Sequence, residues 1–536
     1  MFGGAKLIQI NREEIFDRSI LDIMPQLANY SNYDLIIGIP FIDEEEHLVE
    51  LLCSVDRVLK TWMGKRQLII CVGDHSAGKT LEMLNSMNLQ HPHLQFLLPE
   101  EISGRGTSVR AIIEISKRLD ADLLLFSAKM ANEIGPGIED SWLDSLFTPI
   151  QGPYDLVLGS LRRHIGIDSI AHMLAAPVLE AFYGFRLGDP LGGIYAISHD
   201  FAEELAHEAR FWGEEIQGAG IDFWLLTRAI LWNKNICEVN MGGRVIPHSL
   251  EVRNRVFADN SMIIFEALKK DVAVWLQERP VIKVADILAR SEIKRPDLIS
   301  YSVKQLRDKY TGGIKEYAPL LKVFNGIVEL EKLTMVPEDD FNMEDEIWVN
   351  AFFYLLLQYT FQSEKTGSKE YLHVLTALYN GRIASYVLEM QRFNASITCD
   401  TQEERDAFMV RKMESVKQRL TSCFWQLKPN FIRQWITESE KIRPAILPLG
   451  YMEYVPGKPI VIPKKIVGKD GRLVNTDNIF KALRKRYETK FNQFISEGLG
   501  LPADADAETI IAAVKSFMAD LERGLDKLLP GELKSE

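Results

Sequence analysis

Cysteine is scarce and shows no paired spacing. Five cysteines are scattered over 536 residues, at Cys53, Cys71, Cys237, Cys399 and Cys423. Without a CxxC or other ligand spacing they exclude a zinc clip and a disulfide framework, and the odd count points to a reducing compartment. Long apolar runs are missing too. The most apolar stretch, residues 352–357, soon meets Gln358, far short of the ~18 apolar residues that a spanning helix needs. Positive charge is not in excess: 62 Lys and Arg stand against 75 Asp and Glu, a net charge of −13. That argues against a nucleic-acid binder relying on bulk positive charge. The first residues, Met1-Phe-Gly-Gly-Ala-Lys6, hold no charged segment followed by an apolar one, so no signal peptide is expected and the cytoplasm is the expected location. Repeats and low-complexity tracts are absent from the sequence. What remains is ordinary globular usage, 46% hydrophobic and 26% charged, in a chain long enough for about three domains.

The front of the chain alternates short β-branched runs with amphipathic stretches. Residues 34–40 (DLIIGIP), 67–72 (QLIICV), 122–126 (DLLLF) and 155–159 (DLVLG) read as buried strands. Between the first two, Asp43 and Glu46 have capping-box spacing, and Leu48, Leu51, Leu52, Val55, Val58, Leu59 and Trp62 recur at helical period. Further helices are expected from about Thr80 and over 107–119. Strand–helix–strand order implies a largely parallel α/β sheet. After about residue 259 strands become sparse, and 261–276, 346–362, 371–391 and 402–427 read as helices. Residues 442–465 are rich in Pro and Gly and read as a linker, with an amphipathic helical segment at 478–529.

One motif must be weighed first. Residues 73–80 (GDHSAGKT) fit G-x-x-x-x-G-K-T between a strand and a helix, the context of a P-loop, in which Lys79 would meet nucleotide phosphates. The strands DLLLF and DLVLG offer no carboxylate at their ends for the accompanying Mg²⁺. A polar turn between strand and helix is the competing reading.

The same segment, VGDHSAGKT at 72–80, resembles the V-D-D-x-S-x-D-x-T loop of GT-A glycosyltransferases. IIGIPFIDEEE resembles their opening strand and nucleotide loop, and residues 104–110 (GRGTSVR) their G-[KR]-G-x-A-x-R segment. Residues 154–198 and 220–230 (GIDFWLLTRAI) are similar to the branch containing mannosylglycerate and glucosylglycerate synthases. Residues 346–349 (EIWV) and 375–386 (LTALYNGRIASY) are similar to its C-terminal segments. The ordered set covers roughly residues 33–430. It implies a GT-A fold, α/β and Rossmann-like with a mostly parallel sheet, followed by a mainly helical C-terminal region. The divisions implied are an N-terminal arm at 1–33, a glycosyltransferase domain at 34–258, a helical domain at 259–430 and an extension at 431–536. The activity implied is retaining transfer of a hexose from a nucleotide sugar, UDP- or GDP-linked, to a small polar, anionic, glycerate-like acceptor. No nucleic acid partner is expected, and self-association into a homo-oligomer is left open.

The resemblance also implies a divalent metal on a D-x-D at a strand's end, where two carboxylates make a hard oxygen site and the ion stabilises the departing diphosphate. Asp120-Ala-Asp122 has those letters but precedes its strand; Ser127 stands about 16 Å further along. The matching position reads Ser127-Ala128-Lys129. The family's metal-binding His in L-G-x-K-x-H falls on Ile246, with His248 two residues on, and its G-G-D reads Gly192-Gly193-Ile194. No metal or other cofactor is therefore expected. Two explanations compete: a metal-free transferase in which Lys129 neutralises diphosphate, and a chain without transfer activity that binds sugar nucleotide or a partner.

By resemblance, Pro40, Glu45, Asp74, Arg105, Ser127, Gly192 and Gly193 would bind the nucleotide sugar. Glu45 and Asp74 would take base and ribose as hydrogen-bond acceptors. Asp222 and Lys129 would be catalytic, and Arg162, Arg163 and Asp168 would bind the acceptor, since guanidinium suits carboxylate and phosphate. Each has a plainer alternative: a first-turn helix acid for Glu45, an N-cap for Asp222, a solvated loop for the arginines. Trp224 and Trp232 read as core. The basic run through Lys464, Lys465, Lys469, Arg472, Lys481, Arg484, Lys485 and Arg486 reads as a solvated face or, less plainly, a membrane or partner surface.

Overall fold

The computed structural model describes residues 12–442, apart from 31–32, 43–44, 63, 133–134, 162–169, 219, 243, 246–248, 278, 287–301 and 367, together with 465–467, 473–475 and 509. Residues 1–432 form one compact unit and 433–536 another. In the second unit the described backbone is the helical stretch 433–442, residue 509 and an antiparallel pair, Lys465–Val467 with Leu473–Asn475.

Helix α1 (Arg12–Leu27) precedes β1 (Leu35–Phe41), whose seven residues are all buried. A strand apolar at every position belongs inside a parallel sheet covered on both faces. There follow α2 (Glu45–Thr61), β2 (Gln67–Gly73), α3 (Gly78–Ser86), β3 (His93–Leu97), α4 (Arg105–Leu119), β4 (Asp122–Phe126), α5 (Asp140–Ile150) and β5 (Leu156–Ser160). Residues 171–183 are helical. Then come β6 (Ile194–Ile197), α6 (His199–Glu208), α7 (Ile221–Leu231), β7 (Ile236–Asn240), α8 (Leu250–Lys270) and the short edge strand β8 (Ala285–Asp286). The sheet order is β8-β7-β5-β6-β4-β1-β2-β3. Only β6 runs against its neighbours, β4 and β5.

Alternation along the central strand divides its side chains between two layers. Leu35, Ile37, Ile39 and Phe41 join one core with Leu48, Leu51, Leu52 and Val55 of α2 and with Trp142, Leu143 and Leu146 of α5. Trp62 and Phe147 close it edge to face at 5.3 Å. On the other face α4 packs at Gly38, where a Cβ would meet Ile112. Helix α1 docks on α4 through Arg110, which pairs with Glu13 at 2.6 Å and lies 3.9 Å over the Phe16 ring.

The rest of the unit is helical: α9 (Val303–Glu316), α10 (Asp345–Thr366), α11 (Ser368–Ser396) and α12 (Gln402–Ile442). Mostly parallel α/β followed by helices is the architecture the sequence implied. Residue 258, where the sequence divides the α/β part from the helical part, lies inside helix α8. The helical part also shares its core with the front of the chain: Phe182 packs against Trp275, Phe353 and Phe431. The Trp348 indole donates to the Met173 carbonyl. Among the described residues no helix is long and apolar enough to cross a membrane.

Candidate functional site

Strands β1, β2, β4, β5 and β7 all end at one edge of the sheet, and antiparallel β6 begins there. Open α/β sheets bind ligands at this carboxyl edge. The arrangement brings Asp74, Ser127, Gly192 and Gly193 to it. The Asp74 N–H donates to the Phe41 carbonyl at 3.0 Å, and the Ser127 N–H to the Gly193 carbonyl at 2.9 Å. Gly193 has φ +70°, and a Cβ there would stand 3.2 Å from the Ser127 Cβ and 3.9 Å from the Arg105 guanidinium. Glycine therefore serves both the left-handed backbone and the close approach.

Arg105 and Asp222 come from opposite ends of this region and meet as a bidentate pair, Nη1 to Oδ2 at 2.8 Å and Nη2 to Oδ1 at 3.1 Å. Their side chains are only 17% and 11% exposed, so the pair is held in a poorly solvated place where it is strong but costly to break. The G-x-G around Arg105 has a packing reason: Gly104, at φ +135°, presses on the backbone of Gln217, and Gly106 on that of Ile216 and Gln217. Asp222 does not cap α7. The N-cap is Gly220, with no side-chain bond. Tyr195 lies beside the pair, fully buried, and burial followed by the Asp222 charge pushes its phenol well above the usual range.

The apparent Asp120-Ala-Asp122 motif is at the amino end of β4, away from this edge. Asp122 accepts from the His199 N–H at 2.9 Å and from Gln151 at 2.8 Å, while Asp120 pairs with the His199 ring at 2.9 Å. At the opposite end, Ser127 and Lys129 are half-buried. They lead into Met130–Ala131, which pairs with Arg244–Val245. A hydroxyl and an ammonium do not make a site for a hard divalent cation. Among the described residues no three His, Cys, Asp or Glu side chains converge. Among the described residues of this edge, Ser127 and Lys129 do not fit the metal that the resemblance implies.

Asp74 closes a turn on itself, its Oδ1 accepting from the N–H and hydroxyl of Ser76, each at 3.0 Å. Its other oxygen is not in that turn. In the G-x-x-x-x-G-K-T segment Lys79 is exposed, but the Thr80 hydroxyl, which a P-loop turns to Mg²⁺, is buried in the protein. Pro40 is a buried strand residue opposite Val72. Glu45 begins α2, but its side chain and that of Glu46, like Asp43, lie outside the described residues. So do Arg162, Arg163, Asp168, Ile246, His248 and the side chains of the basic run beyond Lys464. Trp224 is buried in the core and meets Trp212 edge to face at 4.3 Å, while half-buried Trp232 meets Phe201 at 6.0 Å.

Sequence reasoning missed two buried carboxylates. Glu238 and Asp189 are 8% and 3% exposed. Glu238 takes the Gly188 N–H on both oxygens, at 2.9 and 2.8 Å, and the Asp189 N–H at 3.1 Å. Burial raises its carboxyl, against the lowering effect of those hydrogen bonds. The signal was available: one acid within the otherwise apolar strand Ile236-Cys-Glu-Val239 demands a partner.

No protein-family model matches the chain, and no curated protein matches it. Among solved structures it is similar to glucosyl-3-phosphoglycerate synthase from Mycobacterium tuberculosis in complex with phosphoglyceric acid, at 14% identity and TM-score 0.33, over 46% of this chain and 82% of that one. The same enzyme with Mn²⁺, UDP and glucosyl-3-phosphoglycerate gives 14% identity, TM-score 0.33 and the same coverage. A mycobacterial protein gives 15% and 0.33, over 49% and 80%. Likeness this distant carries no inference about activity.

Proposed function

We propose that this chain is a glycosyltransferase-like protein that takes a nucleotide sugar, UDP- or GDP-hexose, at the carboxyl edge of its sheet. It transfers the hexose, with retention, to a small polar and anionic acceptor of the glycerate kind. No step is routed through a metal. The observation that carries the reading is the placing of basic residues at this edge: the Arg105 guanidinium, held by Asp222, stands beside Gly193, and Lys129 follows Ser127 by two residues in the chain. A nucleoside diphosphate leaving group is an anion, and fixed cations where its charge develops lower the barrier to its departure. Asp222 is read as the group that orients Arg105, a change from the catalytic carboxylate first expected.

A second reading has its own support. Both Asp222 oxygens accept from Arg105, so in this arrangement the carboxylate is committed to holding the guanidinium. That favours a sugar-nucleotide binder without transfer activity. One assay separates the two: release of nucleoside diphosphate from UDP- and GDP-hexoses, with glycerate or phosphoglycerate as acceptor, with and without EDTA. EDTA-resistant release that Lys129→Ala abolishes supports transfer. Binding without release for every pair supports the binder, and ATP hydrolysis abolished by Lys79→Ala would support neither.

A further inference from the structure

We propose that Glu238 and Lys417 are positioning residues that hold the 187–193 turn, and through it Gly193 and Ser127, in the shape the donor diphosphate requires. The donor half of this inference rests on the proposed function.

The turn is fastened from two sides. From β7, Glu238 accepts the N–H groups of Gly188 and Asp189. From α12, the Lys417 ammonium donates to the carbonyls of Leu187 and Gly188, each at 3.3 Å. Gly188 is thus gripped at both its N–H and its carbonyl. A Cβ there would stand 3.3 Å from Glu238 Oε1 and 3.3 Å from the Ser160 hydroxyl, so a side chain would push the carboxylate back by a few tenths of an ångström. Asp189 then carries the fastening forward, accepting from the N–H of Leu191 at 3.3 Å and from that of Leu161 at 3.4 Å. Two residues after Leu191 the chain reaches Gly193, whose carbonyl takes the Ser127 N–H.

The charges argue that this is more than packing. Two carboxylates are buried close together, and after burial itself the Asp189 charge adds to the cost of ionising Glu238. An apolar residue at position 238 would fit Ile236, Cys237 and Val239, all buried, and hydrophobic replacement of buried charge is often neutral or stabilising. What such a residue cannot do is fix two backbone N–H groups in one geometry. Lys417 also gives the helical part of the chain a direct hold on the edge, so α12 acts on donor binding without touching the donor.

The test uses the full-length protein and four variants, Glu238→Leu, Glu238→Gln, Lys417→Met and Lys417→Arg. Two quantities are read: hydrogen exchange at the amides of Gly188, Asp189, Leu191 and Ser127, and calorimetric affinity for UDP-glucose and GDP-glucose. Glu238→Leu and Lys417→Met are expected to speed exchange at those amides and weaken binding by about tenfold, the loss of one or two charged hydrogen bonds. Lys417→Arg is expected to restore both, while the urea midpoint of Lys417→Met stays at the wild-type value. Should Glu238→Leu fail to fold, Glu238→Gln, with one acceptor oxygen fewer, gives the same direction at smaller size. Faster exchange with unchanged affinity would make the fastening purely structural and overturn the inference. Unchanged exchange would overturn it outright. A wild-type protein that binds neither nucleotide sugar refutes the proposed function and the donor role together, whereas wild-type binding indifferent to every variant refutes this inference alone.

Discussion

Arg105 and Asp222 each satisfy the other, and that reciprocity is testable. Removing one partner strands a poorly solvated charge, whereas removing both does not. Asp222→Ala is expected to cost about 3 kcal/mol of stability, read from urea unfolding, and the double variant Arg105→Met/Asp222→Leu to recover most of it. Nucleotide-sugar binding should fail in both. Recovery of binding in the double variant would show that the guanidinium does not face the donor. Arg105→Lys keeps the charge but loses the two-pronged geometry, so it is expected to behave like Arg105→Met in binding. Their pairing was not legible beforehand: 117 positions separate the partners, and no local period joins them. Each was found singly, as a motif residue, and each received its own role.

Elements were far easier to read. The strand expected at 122–126 is Asp122–Phe126, β1 and β5 are each shifted by one residue from 34–40 and 155–159, and β2 runs one residue past 67–72. Burial on both faces writes a continuous apolar run, and such runs announce themselves. What the elements do to one another is less visible. Helices α11 and α12 are joined by Glu389, which takes bidentate bonds from Arg419 at 2.9 Å and an ion pair from Lys412 at 2.7 Å. Burial opposes ionisation of Glu389, but those bonds outweigh it and bring its carboxyl down to about 2. The folded value thus lies below the unfolded one of about 4.3, so the pair contributes fully above that value and its contribution fades as pH falls toward 2. Half-exposed Arg419 limits its worth to about 1 kcal/mol. Glu389→Gln should therefore lower the thermal midpoint at pH 7 and converge with wild type only near pH 2, followed by circular dichroism. An equal loss at both pH values would contradict the assignment.

At the scale of the whole molecule the sequence suggested separate α/β and helical domains, and the structure has one unit up to residue 432. Composition changes near residue 259, but composition does not reveal that a single helix, α8, bridges the change. Trp348 of α10 is fully buried and hydrogen-bonded to residue 173 of the front half. Trp348→Ala is expected to cost about 4 kcal/mol. Because the core is shared, hydrogen exchange in the protected amides of β4 should rise along with that in α11; a rise confined to the helices would point to independent domains.

The central claim is that a cationic corner does the work of a metal at this edge. Calorimetric titration of UDP-glucose and GDP-glucose into the full-length protein, once in EDTA and once in MnCl₂, tests it most directly. One of the two is expected to bind with the same affinity in both buffers, and Lys129→Ala to weaken that binding about tenfold, as loss of one charge-assisted contact would. Binding that appears only with Mn²⁺, or that ignores Lys129→Ala, would contradict the claim.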